Sequence, residues 1–175
     1  MTTKEIFEKL KEKFGDDIIR LDESVKDPFV VVNPQKWLEI AKYLHDDPDL
    51  YFDFLMSIAG VDYPDENLIR VVYHLWSYKH RHMLVVKVEL NRENPVVDSI
   101  DSIWANANWL ERETYDLFGV VFKGSRNLKR LLMPEDWEGH PMRKDYEEPK
   151  EYHGISTERE NPVYLFHLVK PPEEE

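Results

Sequence analysis

Four ionisable residues crowd one short stretch of the chain: Glu111, Arg112, Glu113 and Asp116. Paired carboxylates can work as general acid, base or nucleophile across a cleft, as in glycoside hydrolysis. That chemistry needs the two groups to face each other. On a helix, Glu111 and Glu113 point about 200° apart around the axis, so a structural ion-pair network is the better reading. Arg112 and Asp116 stand four apart, a spacing that supports a helix. If these groups are buried they need partners, and Arg126, Arg130 and Arg143 follow downstream. His80 and His82, with His74 upstream, could offer metal ligands, since alternate residues of a strand share a face. They fall in the turn of an expected hairpin, however, and read as solvated turn histidines. His140, beside Trp137 and Arg143, belongs to a residue type that titrates near neutral pH and reads as a hydrogen-bonded structural histidine. The patterns G-x-G-x-x-G, P-loop and G-x-S-x-G are absent, so the sequence shows no nucleotide cradle and no elbow nucleophile.

Composition narrows the choices further. The 175 residues contain no Cys, which excludes thiolate zinc sites, all-cysteine iron–sulfur clusters, thiol catalysis and a disulfide scaffold. Lys and Arg number 23 against 35 Asp and Glu, a net charge of −12. That balance opposes binding to nucleic acid or to anionic lipid, both of which need a basic surface. Eight Phe, nine Tyr and five Trp belong to a chain with a packed core, not a disordered one. The longest apolar runs, such as Phe29 to Val32, are too short to span a bilayer. The N-terminal stretch is charged and lacks the apolar centre of a signal peptide. The chain therefore reads as soluble and cytosolic unless a partner carries it elsewhere. One Gln, no Cys and abundant Lys and Glu lean toward the composition of hyperthermophile proteins.

The elements that must position these residues are legible in the pattern. Thr2 and Glu5 have the spacing of a capping box. Ile6, Phe7, Leu10 and Phe14 then share one helical face, and Gly15 stops the helix. Residues 18–21 and 29–32 read as short strands. Asn33-Pro34 opens a second helix whose apolar face is Trp37, Leu38, Ala41 and Leu44. The stretch 50–60 suits a short helix or a strand equally. Residues 68–77 and 83–90 read as an antiparallel hairpin. Asp98 or Ser99 is placed to cap a short helix reaching Trp104. A further helix over 107–118 closes at Gly119. This is an α+β pattern: a mostly antiparallel sheet with packed helices.

After Gly119 the texture changes to scattered Gly and Pro with isolated apolar anchors, among them Leu131, Trp137, Met142, Tyr146 and Tyr152. So long an irregular segment calls for a use. It lies extended on a partner, as its Trp, Tyr, Met and Arg anchors suit, or it packs back on its own domain. The expected division is an α+β domain over 1–122 and an extended, irregular, partner-binding tail over 123–175. The acidic end 173–175 reads as solvated.

Two stretches carry a resemblance. Residues 111–120 match E-R-E-x-[FY]-D-[LM]-[FY]-G-[IV], and residues 130–146 match R-[IL]-L-x-x-x-x-W-x-G-H-P-[LM]-R-K-D-[FY]. Gly60-Val61-Asp62-Tyr63-Pro64 and Val71-Val72-Tyr73-His74-Leu75 add to them. Together they resemble the C subunit of NADH:quinone oxidoreductase (respiratory complex I), a family that includes the related subunit of membrane-bound energy-converting [NiFe]-hydrogenases. The chain departs from the family at Gly124-Ser125-Arg126, where Gly-His-Pro is usual. The resemblance implies a non-catalytic structural subunit without cofactor or metal, peripheral at the cytoplasmic face of the membrane. Its implied partners are a hydrogenase-large-subunit-like subunit, an iron–sulfur small subunit and, through the complex, membrane-arm subunits. Iron–sulfur clusters and a quinone or NiFe site are expected in those partners. Matching motif positions imply partner-binding or tail-anchoring roles for Glu111, Arg112, Glu113, Asp116, Arg130, Trp137, His140, Arg143, Lys144, Asp145 and Tyr146.

Overall fold

The computed structural model describes residues 1–157; the acidic end and the last part of the expected tail lie outside the described residues. Helix α1, Thr3–Phe14, starts where its capping box predicts: Thr2 Oγ1 accepts from the Glu5 amide, and a Glu5 carboxylate oxygen accepts from the Thr2 amide at 2.7 Å. Gly15, at φ 55°, ends it. Strands β1 (Ile18–Asp22) and β2 (Phe29–Val32) form an antiparallel pair. Asn33 caps a 3-10 turn, Pro34–Lys36, that leads into α2, Trp37–Asp46. The buried face of α2 is Trp37, Ile40, Ala41 and Leu44, while Leu38 faces outward. Ile40 takes the place expected of Leu38, because 37, 40, 41 and 44 follow the i, i+3, i+4, i+7 spacing of one helical face and Leu38 lies about 100° from Trp37.

The ambiguous stretch resolves as a strand. Strand β3, Phe54–Tyr63, pairs with β4, Leu68–Ser77, and β4 pairs with β5, His82–Asn91, all antiparallel. The sheet runs β1-β2-β5-β4-β3, with β2 and β5 the parallel neighbours. Helix formation at 98–104 does not occur. Val96–Asp98 is strand β6, and the following residues make one turn closed by the Ile103 and Trp104 amides on the Ile100 carbonyl. The Ser99 hydroxyl is taken by a carboxylate on α3 (Ala107–Phe118) and does not cap a helix. Strand β7, Val121–Lys123, lies parallel to β6. A short hairpin, β8 (Glu151–Tyr152) with β9 (Ile155–Ser156), follows. The α+β architecture with a mostly antiparallel sheet is as the pattern predicts.

Among the described residues, α1, α2 and α3 join one core with one face of the sheet. Ile6 and Leu10 of α1, Trp37 and Ile40 of α2, and Ala107 and Phe118 of α3 pack with Val71, Tyr73, Leu75, Val86 and Val88. Helix α3 sits closest to β3, and the approach depends on Gly60. A Cβ there would stand 2.5 Å from the Phe118 ring. Gly60→Ala should therefore overpack the helix–strand contact and cost about 1–3 kcal/mol of stability. Urea unfolding of the two proteins measures it.

Candidate functional site

Every helix ends with carbonyls that have no partner inside the helix. At the end of α3 the downstream segment supplies those partners. Gly119 takes the left-handed conformation, φ 77°, and returns its amide to the Tyr115 carbonyl at 2.8 Å. His140 Nδ1 donates to the Asp116 carbonyl at 2.9 Å. The Met142 amide donates to the Leu117 carbonyl at 3.0 Å, and Arg143 Nε to the Phe118 carbonyl at 2.8 Å. A side chain at 119 would collide with this arrangement, since a Cβ there lies 2.6 Å from the His140 ring and 3.0 Å from Arg143. The cation of Arg143 is also where the helix dipole favours positive charge.

Asp116 holds the segment at a second point. Its side chain has no exposed surface. Oδ2 accepts from three successive amides, Leu131, Leu132 and Met133, at 2.9, 2.7 and 2.8 Å. Oδ1 takes Arg130 Nη1 at 2.7 Å. Arg130 reaches on to the carbonyls of Trp137 and Gly139. Burial opposes the charge on Asp116, but those amides and the guanidinium outweigh it, and the carboxyl stays below its ordinary range. Trp137 Nε1 donates to the Tyr146 hydroxyl, whose ring lies beneath Gly139.

A third point lies on the sheet. Asp62, at a core-facing position of β3, accepts Arg92 Nε at 2.7 Å and Nη2 at 3.0 Å, and the Lys144 amide at 2.8 Å. Arg92 also pairs with Asp145. The Arg92 bonds hold the Asp62 carboxyl below its usual range. Asp62 and Arg92 escape the sequence reading as a pair. The available signal is a carboxylate at a position whose strand neighbours Ile58 and Gly60 face the core.

Glu111, Arg112 and Glu113 part company. Glu111 is fully buried, but no cation pairs with it. Ser99 Oγ donates to Oε2 at 2.7 Å and the Ile100 amide to Oε1 at 2.8 Å. This corrects the expected ion-pair network: Glu111 faces the 99–101 turn, and Arg126 bonds Asp101 instead. Burial pushes its pKa up to about 7, against the smaller opposing pull of the Ser99 and Ile100 bonds. Such a shift is common at catalytic acids. Here both oxygens are occupied and solvent is excluded, so no substrate reaches them. Arg112 does not pair with Asp116 along the helix; it donates to the carbonyls of Lys129 and Arg130 and lies over the Trp109 ring. Glu113 is exposed on α3 and faces none of the three anchoring points.

The three histidines of the expected metal set have separate hydrogen-bond partners, His74 Nδ1 meeting the Ser57 hydroxyl at 3.0 Å. His82 is buried, not solvated: it reaches the Leu50 carbonyl at 2.7 Å, and burial lowers its pKa. His80 meets the Pro48 carbonyl. Burial, with Arg143 and Arg130 nearby, lowers the pKa of His140, so its ring is neutral and Nδ1 carries the proton it donates. Among the described residues no three His, Asp or Glu side chains are grouped to hold a metal ion. The arrangement at the end of α3 binds chain to chain.

The profile of the family described as the respiratory-chain NADH dehydrogenase 30 kDa subunit matches residues 30–152. The C subunit of the NADH-quinone oxidoreductase of Chloroherpeton thalassium is 43% identical over 150 residues, which cover 85% of this chain and 62% of that protein. The same subunit of the Chlorobium phaeobacteroides enzyme is 41% identical, covering 86% and 92%. The C subunit of the F420H2 dehydrogenase of Methanosarcina mazei is 40% identical, covering 84% and 93%. A solved trypsin-resistant fragment of Nqo5 superposes with a TM-score of 0.61 at 28% identity, covering 73% of this chain and all of the fragment. A chain of the archaeal membrane-bound sulfane sulfur reductase shares the fold at a TM-score of 0.68 and 20% identity, covering 98% of this chain and 95% of that one.

Two outcomes test this geometry. Asp116→Ala strands three amides and Arg130, and should cost about 3–5 kcal/mol. Hydrogen exchange should show the amides of Leu131, Leu132 and Met133 losing protection while β4 and β5 keep theirs. Glu111 has a folded pKa above its unfolded value, so the native state binds its proton more tightly. Its burial is tolerated below pH 4.5, and stability falls as pH rises toward about 7. Glu111→Gln, which imitates the neutral acid, should match the native protein near pH 4 and exceed it by about 2–4 kcal/mol above pH 7. Denaturant midpoints across that range read the difference.

Proposed function

This chain belongs to the family of the respiratory-chain NADH dehydrogenase 30 kDa subunit, and from that membership we propose that it is the non-catalytic, structural C subunit of a complex I-type oxidoreductase. Such a complex passes electrons to quinone and couples the transfer to ion translocation. The chain carries no cofactor of its own; iron–sulfur clusters and the quinone site belong to neighbouring subunits. It docks on a hydrogenase-large-subunit-like partner beside an iron–sulfur small subunit, and meets the membrane arm only through the complex.

One observation carries this reading. The two motifs, 111–120 and 130–146, fold into a single contact set in which the buried polar groups bond one another and the backbone. Motif residues that turn inward to fix a fold belong to a scaffold. A scaffold serves catalysis by holding neighbouring groups in place, since a misplacement of about 1 Å can cost on the order of 100-fold in rate. The division into a domain over 1–122 and a tail over 123–175 is part of this reading. In this reading Asp116, Arg130, His140, Arg143, Lys144 and Asp145 anchor the tail. Glu113, exposed on α3, is left for a partner. No helix of the described residues is long and apolar enough to cross a membrane; the position that belongs to this reading is peripheral, at the cytoplasmic face.

The relative named for F420H2, 40% identical, favours a second reading in which the module serves a different donor. A membrane-bound energy-converting [NiFe]-hydrogenase, or a related ferredoxin-linked complex, is the alternative host. Affinity purification of the tagged chain from mild-detergent membranes tests both readings. Co-purification of a hydrogenase-like large subunit with membrane subunits is expected. Intact Cys-x-x-Cys nickel ligands in that subunit would assign the hydrogenase, and their loss the quinone reductase. Recovery of the chain alone overturns the proposal.

A further inference from the structure

The three helices cover one face of the five-stranded sheet. The opposite face has its own small cluster, Phe29, Val31, Val72 and Val85, built from strand residues alone. A sheet face left to solvent alternates polar residues outward; this one does not. At its β1 end it is neutralised by ion pairs, with Arg70 and Arg20 on Glu89 at 2.9 Å and Arg70 on Glu66. At the tip of the β4–β5 hairpin it is apolar and open. Phe54, Trp76 and Met83 stand in one cross-strand row. Phe54, Met56 and Tyr78 are 41%, 47% and 63% exposed, and with Trp76 they line a shallow apolar depression. Contiguous exposed patches of this kind mark interaction sites.

Charge indicates what covers it. The chain has 35 Asp and Glu, yet residues 67–88 contain none, while they carry Arg70, Lys79, Arg81 and Lys87. Arg70 is spent on Glu66 and Glu89, and Lys87 lies over the Phe29 ring at 3.4 Å. Arg81 has no ion-pair partner among the described residues, and Lys79 meets only the Pro48 carbonyl and the Tyr51 ring. The nearby Asp53 carboxylate is occupied by the Tyr78 amide at 2.9 Å. The turn between β4 and β5 thus sets two cations, Lys79 and Arg81, against the one Asp53 carboxylate, a local cationic excess on a chain of net charge −12. It is matched by a segment with carboxylates beside its apolar side chains.

We propose that Phe54, Met56, Trp76, Tyr78 and Met83, rimmed by Lys79 and Arg81, form a docking surface for another subunit of the complex, and that the segment seated there is apolar with flanking carboxylates. The inference rests on the subunit reading above. It concerns the helix-free sheet face and leaves the end of α3 out.

The test compares the purified complex with the isolated full chain. Under hydroxyl-radical exposure, Met56, Met83 and Tyr78 should oxidise about tenfold more slowly in the complex. Tyr78→Asp and Arg81→Asp should each lower the yield of co-purified subunits by about tenfold or more, with the thermal midpoint of the chain unchanged. Arg81 has φ 53°, a conformation that Asp tolerates. A complex that assembles with these side chains as reactive as in the free chain overturns the docking surface and leaves the subunit reading standing. Recovery of the chain without any other subunit overturns both. A full chain that sediments as a dimer, and that Tyr78→Asp dissociates, assigns the surface to a second copy and overturns the acidic partner.

Discussion

The constraint on which this structure turns is the end of helix α3. Its last carbonyls and the buried carboxylate of Asp116 leave a concentration of unsatisfied negative charge inside the molecule. Burying such groups unpaired costs several kcal/mol each in this setting. The chain answers with one downstream run that contributes amides, two guanidinium groups and a neutral imidazole. The rest of the irregular segment follows from that requirement. It can lack helix and strand because its backbone groups are used as caps.

The sheet serves the same end from the other side. Gly60 lets the Phe118 ring lie against β3, and the segment that caps α3 goes on to meet Asp62 of the same strand through the Lys144 amide. Asp62 then ties down Lys144 through its amide and, by way of Arg92, Asp145. Glu111 makes the contrasting case within one helix. Asp116 is buried among donors and stays charged; Glu111 is buried with two donors and no cation, and its pKa rises to about 7. The two carboxylates differ in what surrounds them, though both are fully buried.

Much of this is legible from residue order. Helix α1 and its capping box, the hairpin β4–β5 and the stop at Gly119 all rest on contacts a few residues apart, which local spacing encodes. Residues 107–118 match the observed helix for the same reason. The failures share the opposite property. Ser99 suits a helix cap by its local sequence, but its partner, Glu111, lies twelve residues away in a register that only the folded loop defines. The Asp62–Arg92–Asp145 set joins a strand, a strand end and the tail, and no local pattern announces it. The segment after Gly119 leaves two destinations open, since anchors of its kind suit a partner or the chain's own surface. The described part lies on its own domain.

The helix end also dictates an order of events during synthesis. The carbonyls that close α3 wait for donors 24 to 25 residues further along the chain, at His140 and Arg143. A nascent domain emerging from the ribosome therefore possesses every strand of the five-stranded sheet before it possesses the cap of α3. The hydrogen bonds at that helix end close only after residue 143 has emerged. A chain terminated between 119 and 140 would hold a complete sheet and an open helix end, the kind of exposed polar terminus that quality control can detect.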